Sequence, residues 1–342
     1  MNMGHATKFV LIALMLAGGA SMANDVDVKP DHRLDIRIQR DIEKYRKSDA
    51  VITVSDRRGR PIEGASVQVE QVTHDFLFGC NIFMLDRFSN EEENAKYRDL
   101  FKRLLNYATL PFYWRGFEPK PGEPAYERVD HIAEWCNANG IATKGHPLIW
   151  TNEAGVPKWL DESSPDEVKR LMEARAKEIV ARYEGRIDIW DVVNESTHTR
   201  TFADMTLFDY TSDPVKWADE ACPGAMLIVN EFGVIGGSKG RKFFNLLKEM
   251  KDAGVPYDAI GIQTHMHGGV LPIYELLKAL DKFAELGKPV HFTETTVLSG
   301  RETSTPEEER KQAEYVREFY RACFSHKAVR AITWWDFSDR GA

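Results

Sequence analysis

The chain has 342 residues, of which 43% are hydrophobic and 29% charged, and its formal net charge is −8. This composition is ordinary for a folded globular protein, and it excludes a disordered chain, a collagen-like chain and a protein with many membrane spans. Because no dense run of Lys and Arg offsets the negative charge, we do not expect a nucleic-acid-binding surface.

The first 23 residues have the pattern of a secretory signal peptide. Lys8 precedes an apolar run over 9–17, and small residues follow, with Ser21 and Ala23 at the −3 and −1 positions of a cleavage site. The run is too short for a membrane anchor, because a spanning helix needs about 20 apolar residues. We therefore predict secretion, to the periplasm or beyond, after cleavage at Ala23.

Residues 24–74 are predicted to form a small N-terminal extension. Residues 35–47 have an apolar pattern that favours a short amphipathic helix. Residues 50–72 predict a β-hairpin, because alternating apolar residues flank the turn-rich segment DRRGRPIEG. We expect this extension to pack against the main domain.

From residue 75 the pattern changes to short β-rich runs separated by helical stretches. The eight runs cover 75–81, 106–114, 142–150, 187–195, 225–232, 258–265, 289–295 and 329–336. Each gap has room for a helix, as parallel strands require. Capping-box patterns at 89–92, 164–167 and 305–308 mark helix starts. This order predicts an α/β fold, a (β/α)8 TIM barrel over 75–342. A doubly wound open sheet is the alternative, weakened because no GxGxxG follows the first run.

Four cysteines, Cys80, Cys136, Cys222 and Cys323, lie far apart on different predicted elements. An even number of cysteines in a secreted protein permits disulfides. We favour buried free thiols, because a chain this long can build its own core. No CxxC or Cys/His zinc spacing is present.

The strand ends carry the candidate chemistry, because active sites of such barrels lie at the C-terminal ends of the strands. Glu195 and Glu294 close the fourth and seventh runs. Two carboxyl groups facing each other suit glycoside hydrolysis, in which one protonates the leaving oxygen and the other attacks or activates water. Solvated loop carboxylates are the simpler interpretation of either one alone. His265 and His267 could bind a metal on one strand face, but we expect no metal.

Six motifs in order give the chain a resemblance to glycoside hydrolase family 10, the endo-β-1,4-xylanases. The motifs are GHPLIW (145–150), WDVVNE (190–195), GIQTH (261–265), HFTET (291–295), WWDFSD (334–339) and a WxxxEPxxG pattern from Trp114 to Gly122. The resemblance covers roughly residues 75–342 and implies the same barrel and a retaining reaction on a β-linked glycan.

The resemblance also implies a role for each matching residue. Glu195 would be the general acid/base and Glu294 the nucleophile. His265 would keep Glu294 ionised, Asn194 would bond the sugar 2-hydroxyl, and Gln263 would support the nucleophile side. The remaining expected substrate-binding residues are His146, Trp150, Trp114, Trp335 and Asn230. From the residues alone, Glu294 should have a lowered pKa and Glu195 a raised one.

The chain departs from the family pattern in three places. Thr109, Leu110 and Tyr113 stand where the second strand usually carries Glu, Asn and Lys. Thr296 replaces an acidic residue two places after the nucleophile, and Asp336 replaces a glycine. Because the second-strand positions bind sugar in the family, the sequence indicates the type of reaction more firmly than the identity of the sugar.

We therefore predict a secreted retaining endo-β-1,4-xylanase that needs no cofactor. Its expected partner is a β-glycan polysaccharide, with xylan first, and the protein is expected to be a monomer without nucleic acid or membrane partners. The alternatives are a hydrolase of another β-linked glycan and a non-catalytic glycan-binding protein. Because the eighth run ends six residues before Ala342, we also expect the barrel's last helix to be missing and the domain to be C-terminally truncated.

Overall fold

The computed structural model describes residues 31–198, 200–202, 204–300 and 304–338. The predicted signal peptide and its cleavage site lie outside these residues. No helix in the described part of the chain is long and apolar enough to cross a membrane.

Eight parallel strands close into a barrel in chain order, with β8 hydrogen-bonded to β1. The strands are β1 (Leu77–Asn81), β2 (Tyr107–Pro111), β3 (Ala142–His146), β4 (Ile189–Asn194), β5 (Met226–Phe232), β6 (Ala259–Met266), β7 (Val290–Val297) and β8 (Val329–Trp334). Each lies within or across one of the eight β-rich runs. The predicted (β/α)8 barrel is confirmed, and the open sheet is excluded because the sheet has no edge.

Helices cover the outside of the barrel between successive strands. They are α1 (His32–Arg46), α2 (Glu91–Leu104), α3 (Trp114–Phe117), α4 (Tyr126–Ala138), α5 (Pro165–Arg182), α6 (Leu207–Ala221), α7 (Gly237–Asp252), α8 (Ile273–Ala284) and α9 (Pro306–Ser325). Most of the core lies between these helices and the outward faces of the strands. A smaller apolar cluster that includes Tyr107, Ile189 and Ile228 fills the bottom of the barrel.

The helix starts follow their capping residues, with one correction. Thr305 and Glu308 form a full capping box at α9, and Ser164 caps α5 with Pro165 in the first turn. At α2 the capping box predicted to start at Ser89 is wrong, because the cap is Asn90, whose side chain accepts from Glu93 N–H at 2.8 Å. Asparagine caps as well as serine does, so the motif was displaced by one residue.

The N-terminal extension consists of a docked helix and an irregular arm. Helix α1 packs on α9, and Ile38 is fully buried between them and the barrel. The predicted hairpin does not form regular strands, and Ser55 and Pro61 make an isolated antiparallel bridge beside its turn. Val67 and Val69 are exposed. A two-stranded ribbon that lacks a surface to pack on is only marginally stable, which explains the loss of regular strands.

All four cysteines are buried and free, which confirms the predicted thiols. After β8 the described residues, 335–338, hold no helix. Phe337 in this segment packs its ring edge against Tyr97 and Phe101 of α2. The expected truncation of the barrel stays a prediction.

Candidate active site

The two predicted catalytic glutamates lie at the same rim of the barrel. Glu195 directly follows β4, and Glu294 lies in the upper half of β7. Glu195 has a φ of 58°, the left-handed backbone region, in which few residues other than glycine are found. That turn ends the strand and brings the Glu195 side chain back over the barrel mouth.

A chain of side-chain amides connects the two carboxyl groups across β4, β5, β6 and β7. Gln263 Nε2 donates to Glu195 Oε1 at 3.1 Å and to Asn194 Oδ1 at 3.1 Å. Asn230 Nδ2 donates to Asn194 Oδ1 at 2.7 Å and to Glu294 Oε1 at 3.1 Å. The strand register pairs Asn194 with Asn230 and Gln263 with Glu294. The network therefore fixes the relative positions of the two carboxyl groups.

Glu294 is arranged to stay ionised. It is 5% exposed, and burial alone would raise its pKa. The charges of His146 and His265, the hydrogen bond from His265 and the charge of Lys144 outweigh burial and lower the pKa of Glu294 below its ordinary value. His265 Nε2 lies 3.1 Å from Glu294 Oε2, and His146 Nε2 lies 3.6 Å from Glu294 Oε1.

Glu195 is arranged to hold a proton. Burial and, after it, the negative charge of Glu294 raise its pKa to about 7, although hydrogen bonds from Gln263 and Trp150 act in the opposite direction. Trp150 Nε1 donates to Glu195 Oε2 at 2.9 Å. The environments thus separate the two pKa values in the directions expected for an acid and a nucleophile.

Below the two glutamates, a buried ion pair between Lys144 and Asp191 contacts His146. Lys144 Nζ contacts Asp191 Oδ2 at 2.6 Å, and the same oxygen lies 2.7 Å from His146 Nδ1. All three side chains are at most 1% exposed. Lys144 and His146 are two residues apart in β3, so both point into the barrel. Asp191 thereby orients the imidazole that faces Glu294.

Aromatic rings line the mouth of the barrel around the glutamates. Trp335 follows β8 and places its ring edge-on to His146, with the ring centroids 5.4 Å apart. Tyr113 lies between Trp150 and His146, with ring centroids at 5.9 and 5.5 Å. These tryptophans and Tyr113 are half-buried, so each has a face available to a ligand. A cavity of about 270 Å³ adjoins the site and shares Gln263 and His265 with it.

Two residues expected to bind substrate are buried and bonded within the protein, and a third, Gln263, contacts the acid side of the site. Trp114 is 2% exposed, donates its indole N–H to Glu118 at 2.7 Å and lies under Arg175; its ring therefore cannot stack on a sugar. Asn230 has no exposed surface and acts within the amide network. Gln263 donates to Glu195 directly and is connected to Glu294 through Asn194 and Asn230.

The departures from the family pattern also lie at this rim. Thr296 Oγ1 contacts His265 Nδ1 at 2.9 Å, so the imidazole bridges a hydroxyl and Glu294. Asp336 has a left-handed φ of 65° and accepts from Asn81 Nδ2 at 3.0 Å. His267 stacks on His265, with ring centroids at 5.5 Å. No group of three or more possible metal ligands occurs among residues 31–198, 200–202, 204–300 and 304–338.

Sequence reasoning did not place Lys144, Asp191 or Tyr113 among the site residues. A signal existed for the first two, because each is a charged residue within an otherwise buried strand and such residues are rarely buried without a partner. Tyr113 was noted only as a departure from the family pattern, and its contact with Trp150 and His146 depends on the loop that follows β2.

A closed (β/α)8 barrel with two glutamates of opposite pKa shift at its C-terminal rim has the architecture of a glycoside hydrolase. The chain belongs to glycosyl hydrolase family 10, because the model of that family matches residues 39–342. It is 31% identical to endo-1,4-beta-xylanase B of Thermotoga neapolitana over 75% of this chain and 76% of that protein.

A further sequence relative is much longer than this chain, and a solved structure has a similar fold. Endo-1,4-beta-xylanase 1 of Arabidopsis thaliana is 29% identical over 88% of this chain, but the match spans only 31% of that longer protein. The crystal structure of xylanase 10B from Thermotoga petrophila RKU-1 in complex with xylobiose superposes with a TM-score of 0.69, at 28% identity. That match covers 80% of this chain and 88% of the other.

Proposed function

We propose that this protein is a secreted retaining endo-β-1,4-xylanase. The observation that carries the proposal is the pair of glutamates whose pKa values are shifted apart, with Glu195 raised to about 7 and Glu294 lowered. Xylan is the proposed substrate because the matched relatives are named xylanases. Secretion rests on the signal-peptide pattern of residues 1–23.

In the first step, a carboxylate oxygen of Glu294 attacks the anomeric carbon of the bound sugar. The bond to the leaving oxygen breaks while the Glu195 carboxyl donates its proton to that oxygen. The products are a sugar chain with a free hydroxyl and a glycosyl ester on Glu294. His265 and His146 favour the negative charge from which this attack starts.

In the second step, Glu195 acts as a base. Now ionised, it takes a proton from a water molecule, whose oxygen attacks the anomeric carbon and releases Glu294 as a carboxylate. Two inversions at one carbon give net retention of the β configuration. Loss of the negative charge on Glu294 in the ester lowers the pKa of Glu195, since that charge is one cause of its rise. The same group is thereby acidic before the first step and basic before the second.

Substrate binding is proposed to depend on the aromatic rim. The half-buried rings of Trp150, Trp335 and Tyr113 offer apolar faces to sugar rings. Asn194 is proposed to bond the sugar 2-hydroxyl, and His146 to line the position of the cleaved sugar. We propose that the protein acts as a monomer.

A second candidate is a retaining hydrolase of another β-linked glycan, such as a β-glucan or a decorated xylan. The observation that favours it is the second strand, where Thr109 is fully buried and Tyr113 lies against His146 and Trp150. The β2 segment and the loop after it thus carry a hydroxyl and a phenol where the family pattern has charged and amide groups. Activity on a panel of purified xylans, arabinoxylan and mixed-linkage β-glucan distinguishes the two candidates.

The Glu294→Ala variant tests the proposal directly. We expect release of reducing sugar from xylan to fall by at least about 10⁴-fold, because no nucleophile remains. Glu285→Ala, at an exposed position after α8, is the matched control and should keep wild-type activity. Urea unfolding of both variants shows that the fold is intact. A folded Glu294→Ala protein with wild-type activity would contradict the proposal, and a wild type inactive on every β-glycan would support a glycan-binding protein.

A further inference from the structure

A third buried glutamate lies directly behind Glu195. Glu231 is in β5 and has no exposed surface. Its carboxylate accepts from the backbone N–H and the hydroxyl of Thr197, each at 2.7 Å, and from the N–H of Phe232 at 3.0 Å. His198 Nδ1 lies 2.7 Å from Oε1, the oxygen that accepts from Phe232, whereas both Thr197 groups donate to Oε2. Every contact is with a group that can donate, which suits a carboxylate.

These contacts hold the turn that sets the direction of Glu195. The Glu195 N–H donates to Asn230 O at 2.8 Å, and the His198 N–H donates back to Glu195 O at 3.1 Å. Glu195 itself has the left-handed φ of 58°. This conformation is unfavourable for a residue with a Cβ, because the Cβ comes too close to the following carbonyl oxygen. It persists only where the surrounding structure enforces it.

Two further contacts hold the turn after Glu195. Lys242 of α7 donates to Thr197 O at 2.7 Å. The His198 ring stacks on Phe232, with centroids 4.1 Å apart and an interplanar angle of 29°. Glu231 and Lys242 thus connect Thr197 and His198, the residues after Glu195, to β5 and α7 of the barrel.

We propose that Glu231 is a positioning residue for the general acid. By holding Thr197 and His198 it fixes the left-handed turn at Glu195, and so directs the Glu195 carboxyl to the leaving-group oxygen. This inference rests on the proposed function. Glu231 contacts neither Glu294 nor the amide network in any hydrogen bond among the described residues, so its effect should be confined to proton transfer.

A substrate series separates proton donation from nucleophilic attack. A sugar hydroxyl leaves only if it receives a proton, whereas 2,4-dinitrophenolate is stable without one. General acid catalysis contributes roughly 10²–10⁴-fold, and a misplacement of about 1 Å can cost about 10²-fold. A displaced Glu195 should therefore slow cleavage of an oligosaccharide and leave attack on a dinitrophenyl glycoside nearly unchanged.

The charge on Glu231 gives a second, independent readout. After burial and Glu294, its charge is a further cause of the raised pKa of Glu195. The titratable groups facing Glu195 are Glu294 from β7, Glu231 from β5, Tyr113 from the loop after β2 and Tyr210 from α6. Glu231→Gln removes one negative charge from this set. The alkaline limb of kcat/KM should move to lower pH.

The experiment measures kcat/KM for xylotetraose and for 2,4-dinitrophenyl β-xylobioside with the full chain. For Glu231→Ala we expect a loss of about 10²-fold on xylotetraose and less than about threefold on the aryl glycoside. Lys242→Met loosens the same turn from the α7 side without touching Glu231. It should show the same selective loss at smaller size, which keeps the test valid if Glu231→Ala does not fold.

Glu318→Gln is the matched control. Glu318 is 3% exposed and bonded to Arg321 in α9, so its loss reports the general effect of removing a buried carboxylate. An equal loss on both substrates in Glu231→Ala and Lys242→Met, or a loss on neither, would overturn the assignment of Glu231 while leaving the proposed function standing. A wild type that cleaves neither substrate would overturn the proposed function and this inference with it.

Discussion

At the residue scale, the site is defined by two identical side chains in different surroundings. Glu195 and Glu294 both accept from a side-chain amide, but Glu294 lies next to the imidazoles of His146 and His265, whereas Glu195 accepts from the indole of Trp150. A shift of one pKa unit corresponds to about 1.4 kcal/mol of differential interaction between protonation states. Small differences in neighbouring groups are therefore enough to give the two carboxyl groups opposite roles.

The first prediction at this scale is a bell-shaped dependence of kcat/KM on pH. Activity falls on the acid side when Glu294 gains a proton, at a pH below its ordinary value because its pKa is lowered. Activity falls on the alkaline side when Glu195 loses its proton, at a pH of about 7. Trp150→Phe removes a hydrogen bond that favours the charged form of Glu195, so the alkaline limb should move to higher pH.

Trp159→Phe is the control for this change. Its indole N–H donates to Glu118 O at 2.9 Å, so the variant loses an indole hydrogen bond without changing the surroundings of Glu195. Its alkaline limb should coincide with that of the wild type. A Trp150→Phe limb that stays in place or moves to lower pH would show that Glu195 does not set it.

At the element scale, strand β3 carries a cation into the barrel interior. Lys144 is fully buried and paired with Asp191 of β4, whose pKa is lowered by Lys144 and His146 despite burial. Removing one partner of a buried ion pair leaves an unpaired charge in a region of low polarity, at a typical cost of about 3–5 kcal/mol. The pair therefore connects the stability of two strands to the orientation of His146.

We expect Lys144→Met to lower the free energy of unfolding by about 3–5 kcal/mol, measured by urea denaturation at neutral pH. Lys177→Met is the control, because it breaks partly exposed ion pairs with Glu173 and Glu220. It should change the free energy of unfolding far less, because solvent-exposed ion pairs contribute little to stability. A cost of similar size in both variants would mean that the buried pair does not stabilise the strands.

Much of this element order could be predicted from the sequence. Spacing alone indicated eight parallel strands, and strand-end position indicated Glu195 and Glu294. The burial of Trp114 was not predicted, because a motif shows that a tryptophan is present but not which way its ring points. The hairpin over 50–72 failed because alternation signals a possible strand, whereas a stable strand also needs a partner surface. The Lys144–Asp191 pair joins two residues that are 47 positions apart in the chain, and no local sequence pattern encodes such a contact.

At the scale of the whole molecule, the N-terminal helix is hydrogen-bonded to the segment that joins α9 to β8. Arg46 of α1 donates to the carbonyl oxygens of Phe324, His326 and Val329, at 2.6 to 2.8 Å. Its guanidinium also lies over the rings of Phe76 and Phe324. Burial lowers the pKa of Arg46 to about 10. Residues nearly 300 positions apart thus share one contact at the start of β8.

Arg46→Ala should lower the free energy of unfolding by about 2–4 kcal/mol, since three carbonyl groups lose a charged donor. Hydrogen exchange should rise first in the residues that join α9 to β8. Arg40→Ala, which removes a more exposed side chain of the same helix, should cost less than about 1 kcal/mol. If both arginine variants lower the free energy of unfolding by the same amount, the contacts of Arg46 with the start of β8 do not stabilise the barrel.

The central claim is that Glu195 and Glu294 act together in a double displacement. Proton NMR of a xylo-oligosaccharide digest, recorded before mutarotation, identifies the anomer of the first product and tests this claim most directly. For a retaining double displacement, the β anomer forms first and the α anomer appears only as mutarotation proceeds. First formation of the α anomer would show inversion, and Glu294 could not be the nucleophile.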